Sequence, residues 1–182
     1  MQLAEARGAL LTLATLALGD RVLDIACGTG LVSFDAAREV GSGGHVLGID
    51  LSERMIDVDE RRASQMRLSN CNLARMGAET LALPDSSFDV ALCVLGLMYM
   101  PDPKQAMREM YRVLRPGGRL SLAVWGERSK CGWSAVFPIV DDEMASEVCP
   151  LFFRLGQQTA LARAYARTRC LRTSNIAASQ RH

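Results

Sequence analysis

Gly28 and Gly30 follow directly on the apolar run Val22-Leu23-Asp24-Ile25-Ala26, and Asp50 closes a second apolar run that starts at His45. Two glycines at the end of a strand remove side chains where a ligand would meet the backbone. The helix that follows offers unpaired N–H groups to a polar or anionic group. A carboxylate at the end of the next strand can accept hydrogen bonds from both hydroxyls of a ribose, and a position about twenty residues beyond the glycine turn suits a nucleoside site. Together these features point to a nucleoside cofactor without saying which one, because dinucleotide oxidoreductases share them. Two residues weigh against a dinucleotide: Asp24 is an acid inside a strand, and Ser33 stands where a third glycine would be. A charge buried in a strand needs a partner. For Asp24 the role is either contact with an ammonium group on the cofactor or support of the glycine loop, or else ordinary capping of backbone N–H groups.

The elements that must hold these residues can be read from periodicity and turn signals. Met1 to Leu18 suits an amphipathic helix ending at Gly19, since Glu5 and Arg7 interrupt any signal-peptide or membrane-span pattern. Strands are expected at 22–26, 45–50, 72–76, 88–95 and 119–124, and helices at 31–40, from Ser52 to about Leu68, and at 104–114. Each strand is a continuous apolar run, and strands alternate with helices, which argues for a parallel sheet covered on both faces. With right-handed crossovers the natural outcome is an α/β, Rossmann-like doubly wound sheet. Arg115-Pro116-Gly117-Gly118 reads as a helix end, a proline stop and a glycine turn into the last of these strands.

The chain has 182 residues, 49% of them hydrophobic, enough for one large core, and a single domain over 1–182 is expected. A formal net charge of +1 gives no whole-chain attraction to nucleic acid or an anionic membrane. The basic C-terminal end, from Arg154 to Arg181, reads as a solvated helix face and tail. The 6 cysteines include no CxxC pair, so neither a metal site nor a redox dithiol is expected, and buried free thiols suit a cytoplasmic protein.

Val22 to Gly30 resembles the first motif of the class I S-adenosylmethionine-dependent methyltransferases, and Gly48-Ile49-Asp50-Leu51-Ser52-Glu53-Arg54-Met55 resembles the second. The segments Leu81 to Val90 and Leu114 to Leu120 resemble two more in the same order. Gly96-Leu97-Met98-Tyr99-Met100-Pro101-Asp102 is similar to the subgroup that includes ubiquinone and menaquinone biosynthesis enzymes. The resemblance implies S-adenosyl-L-methionine as cofactor, S-adenosyl-L-homocysteine as product, and a small-molecule methyl acceptor. It implies that Ala26, Cys27, Gly28 and Gly30 lie under the methionine part, with Asp24 in support, and that Asp50 binds the ribose. Leu51 would sit beside the adenine. Met55 would pack on the adenosine, although a methionine at this spacing serves equally as core. Ala78 and Glu79 would meet the adenine ring, and Cys93 and Leu95 would line the pocket. Gly77 departs from the pattern, since it stands where the family usually has an aspartate that takes the adenine amino group.

Methyl transfer needs alignment of a nucleophile opposite the sulfonium more than it needs a covalent intermediate. No catalytic base is assigned: His45 starts a strand, at the end of the sheet away from the site, and His182 is the last residue. Tyr99 could touch an acceptor or be a packed aromatic. After the fifth strand, Gln157 to Arg169 suits a helix, and the residues beyond it are too few and too polar for two more strands. One or both of the last two strands of the family fold are therefore expected to be missing, leaving a sheet edge that could pair two copies. Two other readings stay open: a cofactor-binding but catalytically incomplete module, and a dinucleotide-dependent oxidoreductase.

Overall fold

A computed structural model describes residues 3–126 and Leu155. The chain divides into one unit, Met1–Ala123, and a second, Val124–His182. All elements described below lie in the first unit. The helix expected over 157–169 and everything after it lie outside the described residues.

Among the described residues, four α-helices and five strands follow in chain order: α1 (Leu3–Ala14), β1 (Arg21–Ile25), α2 (Leu31–Val40), β2 (His45–Asp50), α3 (Glu53–Gln65), β3 (Cys71–Arg75), β4 (Phe88–Val94), α4 (Pro103–Val113) and β5 (Leu114–Ala123). The strands form one sheet in the order β3-β2-β1-β4-β5 with every pair parallel. The chain winds outward from β1 to β3, then returns to the other side of β1 for β4 and β5. Right-handed crossovers therefore place the helices on opposite faces, and the direction reverses between β1 and β4. This is the expected doubly wound α/β sheet. Its outer strands among the described residues are β3 and β5.

The continuous apolar runs are explained by burial on both faces. Val22, Val46, Val90 and Leu92 pack with α1 and the Phe34, Ala37 and Val40 side of α2. Residues of the opposite parity, Leu23, Ile25, Ile49, Ala91 and Cys93, are equally buried and turn to the other face. Two helix starts follow cap chemistry. Ser52 accepts from the Met55 N–H, Asp102 accepts from the N–H groups of Lys104 and Gln105, and Pro103 takes the first position of α4. Gly30, in the left-handed region, precedes α2.

The Arg115–Gly118 segment differs from the expected turn. Phe88 pairs with Leu114 and Val90 with Arg119, so four residues of β5 bulge opposite Asp89 alone. Asp89 explains the bulge: its carboxylate accepts from the Arg21 N–H at 2.7 Å and pairs with the Arg115 guanidinium. The strand thus starts at Leu114 instead of Arg119.

Residues 76–87, between β3 and β4, contain no helix, and α4 holds them. The Arg112 guanidinium donates to the carbonyls of Leu81 and Leu83 at 2.8 Å, to Asp85 at 2.6 Å and to Glu109 at 2.7 Å. Glu109 in turn accepts from the Leu81 N–H at 2.9 Å. Lysine cannot reproduce a planar fork with this many fixed donors. Arg112→Lys is expected to lower stability by roughly 2 kcal/mol, read as a shifted urea midpoint at unchanged slope. An unchanged midpoint would show that the loop is held by other means.

Candidate functional site

The carboxyl ends of β1, β2 and β4 meet at the reversal point, and the backbone there is unusual. Ala26, just after β1, has φ 57°, and Leu95, just after β4, also has φ 57°. Neither residue type favours the left-handed region, so both turns carry strain of the kind that gathers at ligand sites. Cross-strand bonds enforce it: the Cys27 N–H donates to the Ile49 carbonyl at 3.0 Å and the Leu95 N–H to the Ala123 carbonyl at 2.8 Å.

Asp50 is the organising side chain. Its Oδ2 accepts from the Gly28 N–H at 3.0 Å and its Oδ1 from the Ser52 N–H at 2.9 Å. Each oxygen is fixed by one backbone donor and keeps a lone pair for another. That orients the carboxylate for the two adjacent hydroxyls of a ribose. Beside it, Leu51 is 70% exposed and Met55 40% exposed. Two apolar side chains held in water next to an oriented carboxylate make a surface that a flat apolar ring would cover. Met55 is therefore not a buried core residue.

The two glycines have different reasons to be glycine. Both take left-handed backbone, φ 59° at Gly28 and 71° at Gly30. A Cβ on Gly28 would meet nothing within 4 Å, so the space above it is open to a ligand. A Cβ on Gly30 would stand 2.5 Å from the Phe34 ring and 3.0 Å from Asp59 Cγ. Gly30 thus serves internal packing, whereas the space at Gly28 is left open. Gly77 also faces open space, where an added Cβ would touch only Leu51, at 3.9 Å.

The other expected residues divide. Asp24 is 1% exposed, and the Ser33 hydroxyl donates to its Oδ2 at 2.6 Å. Burial pushes its carboxyl up to about 7, against the lowering effect of the Ser33 hydrogen bonds. Its partner among the described residues is α2, through both the hydroxyl and the N–H of Ser33. Ser33 is explained by that bond. Cys93 is fully buried, close beneath Gly96, and burial pushes its thiol up to about 12. The Cys27 thiol turns inward to Asp59 at 3.7 Å, and burial among carboxylates pushes it far above its ordinary range, so it is no nucleophile. Ala78 is buried, and Glu79 Oε1 accepts from the Asp102 N–H at 3.4 Å. Tyr99 is 64% exposed in a short 3-10 turn, Leu97–Tyr99. His45 pairs across the sheet with Arg21, at the amino end, and burial lowers its pKa.

Sequence reading missed Asp59 and Arg62. Asp59 is fully buried on α3 behind the glycine turn, and the Arg62 guanidinium donates to the Thr29 carbonyl at 3.1 Å. An acid and a base three residues apart on a polar-looking helix read as solvated surface. Only the three-dimensional approach of α3 to the turn reveals them.

Among the described residues there is no group of three or more acidic, histidine or cysteine side chains that could hold a metal, and no helix long and apolar enough to cross a membrane. An S-adenosyl-L-methionine-type cofactor fits what is present: an oriented carboxylate for ribose, exposed apolar walls for adenine, and open backbone at Gly28 for the amino-acid arm.

A family model described as a methyltransferase domain matches residues 17–150. The chain is 42% identical over 119 residues to a demethylmenaquinone methyltransferase of Listeria monocytogenes, a match covering 65% of this chain and 50% of that protein. The chain thus spans about half the length of the curated relatives it matches. Among solved structures, the YcgJ protein of Bacillus subtilis superposes with a TM-score of 0.72 at 23% identity, over 91% of this chain and 68% of that one. The cyclase SpnF superposes with a TM-score of 0.61 at 31% identity, over 65% of this chain and 43% of that one.

Proposed function

Because the chain belongs to the methyltransferase domain family, we propose that it binds S-adenosyl-L-methionine at the carboxyl ends of β1, β2 and β4 and directs its methyl group to a small-molecule acceptor. The observation that carries this reading is Asp50, with each oxygen pinned by a backbone N–H and with Leu51 and Met55 exposed beside it. The ribose hydroxyls donate to Asp50, the adenine lies against Leu51 and Met55 near Ala78, and the methionine arm crosses the open face of Gly28. The bound cofactor supplies an already activated methyl group on a sulfonium sulfur. Asp50, Leu51, Met55 and Gly28 would hold that cofactor, whose methyl group would then be open to direct displacement by an acceptor placed opposite the sulfur. What the chain contributes is alignment and exclusion of water, with no covalent enzyme intermediate.

The relatives named demethylmenaquinone methyltransferase favour a quinol-type ring as acceptor. The exposed Tyr99, beyond β4, offers an aromatic surface for such a ring. The test is transfer of labelled methyl from the cofactor to a demethylated naphthoquinol. Labelled product supports the acceptor class. Its absence, with cofactor binding intact, supports a second reading: a module that binds the cofactor without transferring methyl, which the likeness to a cyclase favours.

Gly77 sets the hold on the adenine. Its Cβ position is open and adjoins Leu51, so a carboxylate there would reach the expected place of the adenine amino group. Gly77→Asp is expected to tighten S-adenosyl-L-homocysteine binding about fivefold, one hydrogen bond's worth. Equal or weaker binding would mean that the adenine lies elsewhere.

A further inference from the structure

Asp59 has no role in the site as described, yet it is fully buried directly behind it. Its Oδ2 takes the Cys27 thiol at 3.7 Å, and its Oδ1 is buried with no hydrogen-bond partner. The carboxyl carbon packs against Gly30 so closely that a Cβ there would sit 3.0 Å away. One turn along the same helix, Arg62 holds the Thr29 carbonyl at 3.1 Å. Two consecutive inward positions of α3 thus grip both sides of the turn that the cofactor must cross.

We propose that Asp59 is a positioning residue for the cofactor turn, which holds Cys27–Gly30 in the cofactor-accepting form while its carboxyl is neutral and loosens it on ionising. A neutral carboxyl tolerates one unpartnered oxygen, whereas an anion in the same place does not. The groups that face it are Cys27 on the turn, Asp24 on β1, Asp50 on β2, Cys71 on β3 and Arg62 on α3. Phe34 of α2 packs on the same glycine and carries no charge. Arg62 is the one cation in that set. An ionised Asp59 draws Arg62 away from the Thr29 carbonyl, because an i,i+3 ion pair on α3 competes with a bond to a neutral oxygen. Burial, with the Asp50 charge adding to it, raises the Asp59 carboxyl to about 7 against the opposing pull of Cys27 and Arg62, which places the change in the working pH range.

The inference rests on the cofactor reading above, and one calorimetric series separates the two. S-Adenosyl-L-homocysteine is titrated into the full chain from pH 5.5 to 8.5, into Asp59→Asn, and into Arg62→Gln. The wild-type protein is expected to lose roughly fivefold or more in affinity across this range, and Asp59→Asn to lose distinctly less. Titration of the ligand's own amino group is common to both proteins, and Asp24, which the Asp59 charge helps to raise, ionises at lower pH in Asp59→Asn, so an effect of Asp24 alone would shift the loss to lower pH without shrinking it. Arg62→Gln removes the one cation among the described groups that face Asp59 and is expected to move the inflection to higher pH. A purely packing role for Asp59 would change stability and leave the pH profile alone. The same loss in Asp59→Asn as in wild type, or a flat wild-type profile, overturns the role of Asp59 while the cofactor reading stands. No binding by the wild type at any pH overturns both.

Discussion

Asp50→Ala is expected to weaken S-adenosyl-L-homocysteine binding by two to three orders of magnitude while leaving the chain folded. Two hydrogen bonds from ribose hydroxyls to a carboxylate contribute on the order of 3–5 kcal/mol together. The substitution also strands the N–H groups of Gly28 and Ser52, which Asp50 now accepts at 3.0 and 2.9 Å. Both donors lie near water, so solvent can replace their partner and the fold survives. The glycine turn, however, loses the bond that ties it to β2, and part of the lost affinity comes from that slack. Calorimetry gives the affinity, and circular dichroism confirms the fold. An affinity within threefold of wild type would show that the ribose is held elsewhere.

Gly30→Ala is expected to destabilise the protein far more than Gly28→Ala, although both glycines belong to one motif. Each substitution puts a Cβ on left-handed backbone, at roughly 1–2 kcal/mol. At Gly30 the new atom also meets Phe34 Cζ at 2.5 Å and Cε2 at 2.8 Å, with Asp59 at 3.0 Å. Phe34 is 2% exposed inside the core and has no room to retreat. Overpacking adds about 1–3 kcal/mol, so the total reaches a large fraction of an ordinary domain's stability. Gly28→Ala meets open space and costs only the backbone strain, yet its Cβ enters the space that the cofactor is proposed to occupy. Urea unfolding should therefore rank Gly30→Ala as much the less stable, while titration should show Gly28→Ala folded and weak in binding. Equal unfolding midpoints would contradict the division of roles between the two glycines.

The sheet was legible because burial on both faces imprints itself as continuous apolar runs, and β2 and α2 fall on their expected residues, 45–50 and 31–40. The ends were less so. The β5 bulge depends on Asp89 binding a strand N–H from β1 and the Arg115 side chain, and no local pattern encodes a partner 68 residues away. The candidate site was legible as far as its chemistry lies in motif residues: Gly28, Asp50, Leu51 and Met55 share one rim at the carboxyl ends of the strands. Asp24 and Cys93 are in the expected segments but lie below the surface, since residues of a doubly covered strand point into the helix layers. Gly30 carried the right signal for a different reason, because packing on Phe34 and Asp59 demands glycine as firmly as a ligand would. Asp59 and Arg62 could not be found from spacing, since a polar residue on a helix gives no sign of which neighbour it faces.

The central claim is that the rim around Asp50 is an S-adenosyl-L-methionine site, and calorimetric titration of the chain with S-adenosyl-L-homocysteine, alongside NAD and NADP, tests it most directly. Saturable one-to-one binding of S-adenosyl-L-homocysteine, with no heat from either dinucleotide, is the predicted result. A preference for NAD or NADP, or no binding of S-adenosyl-L-homocysteine, would contradict it.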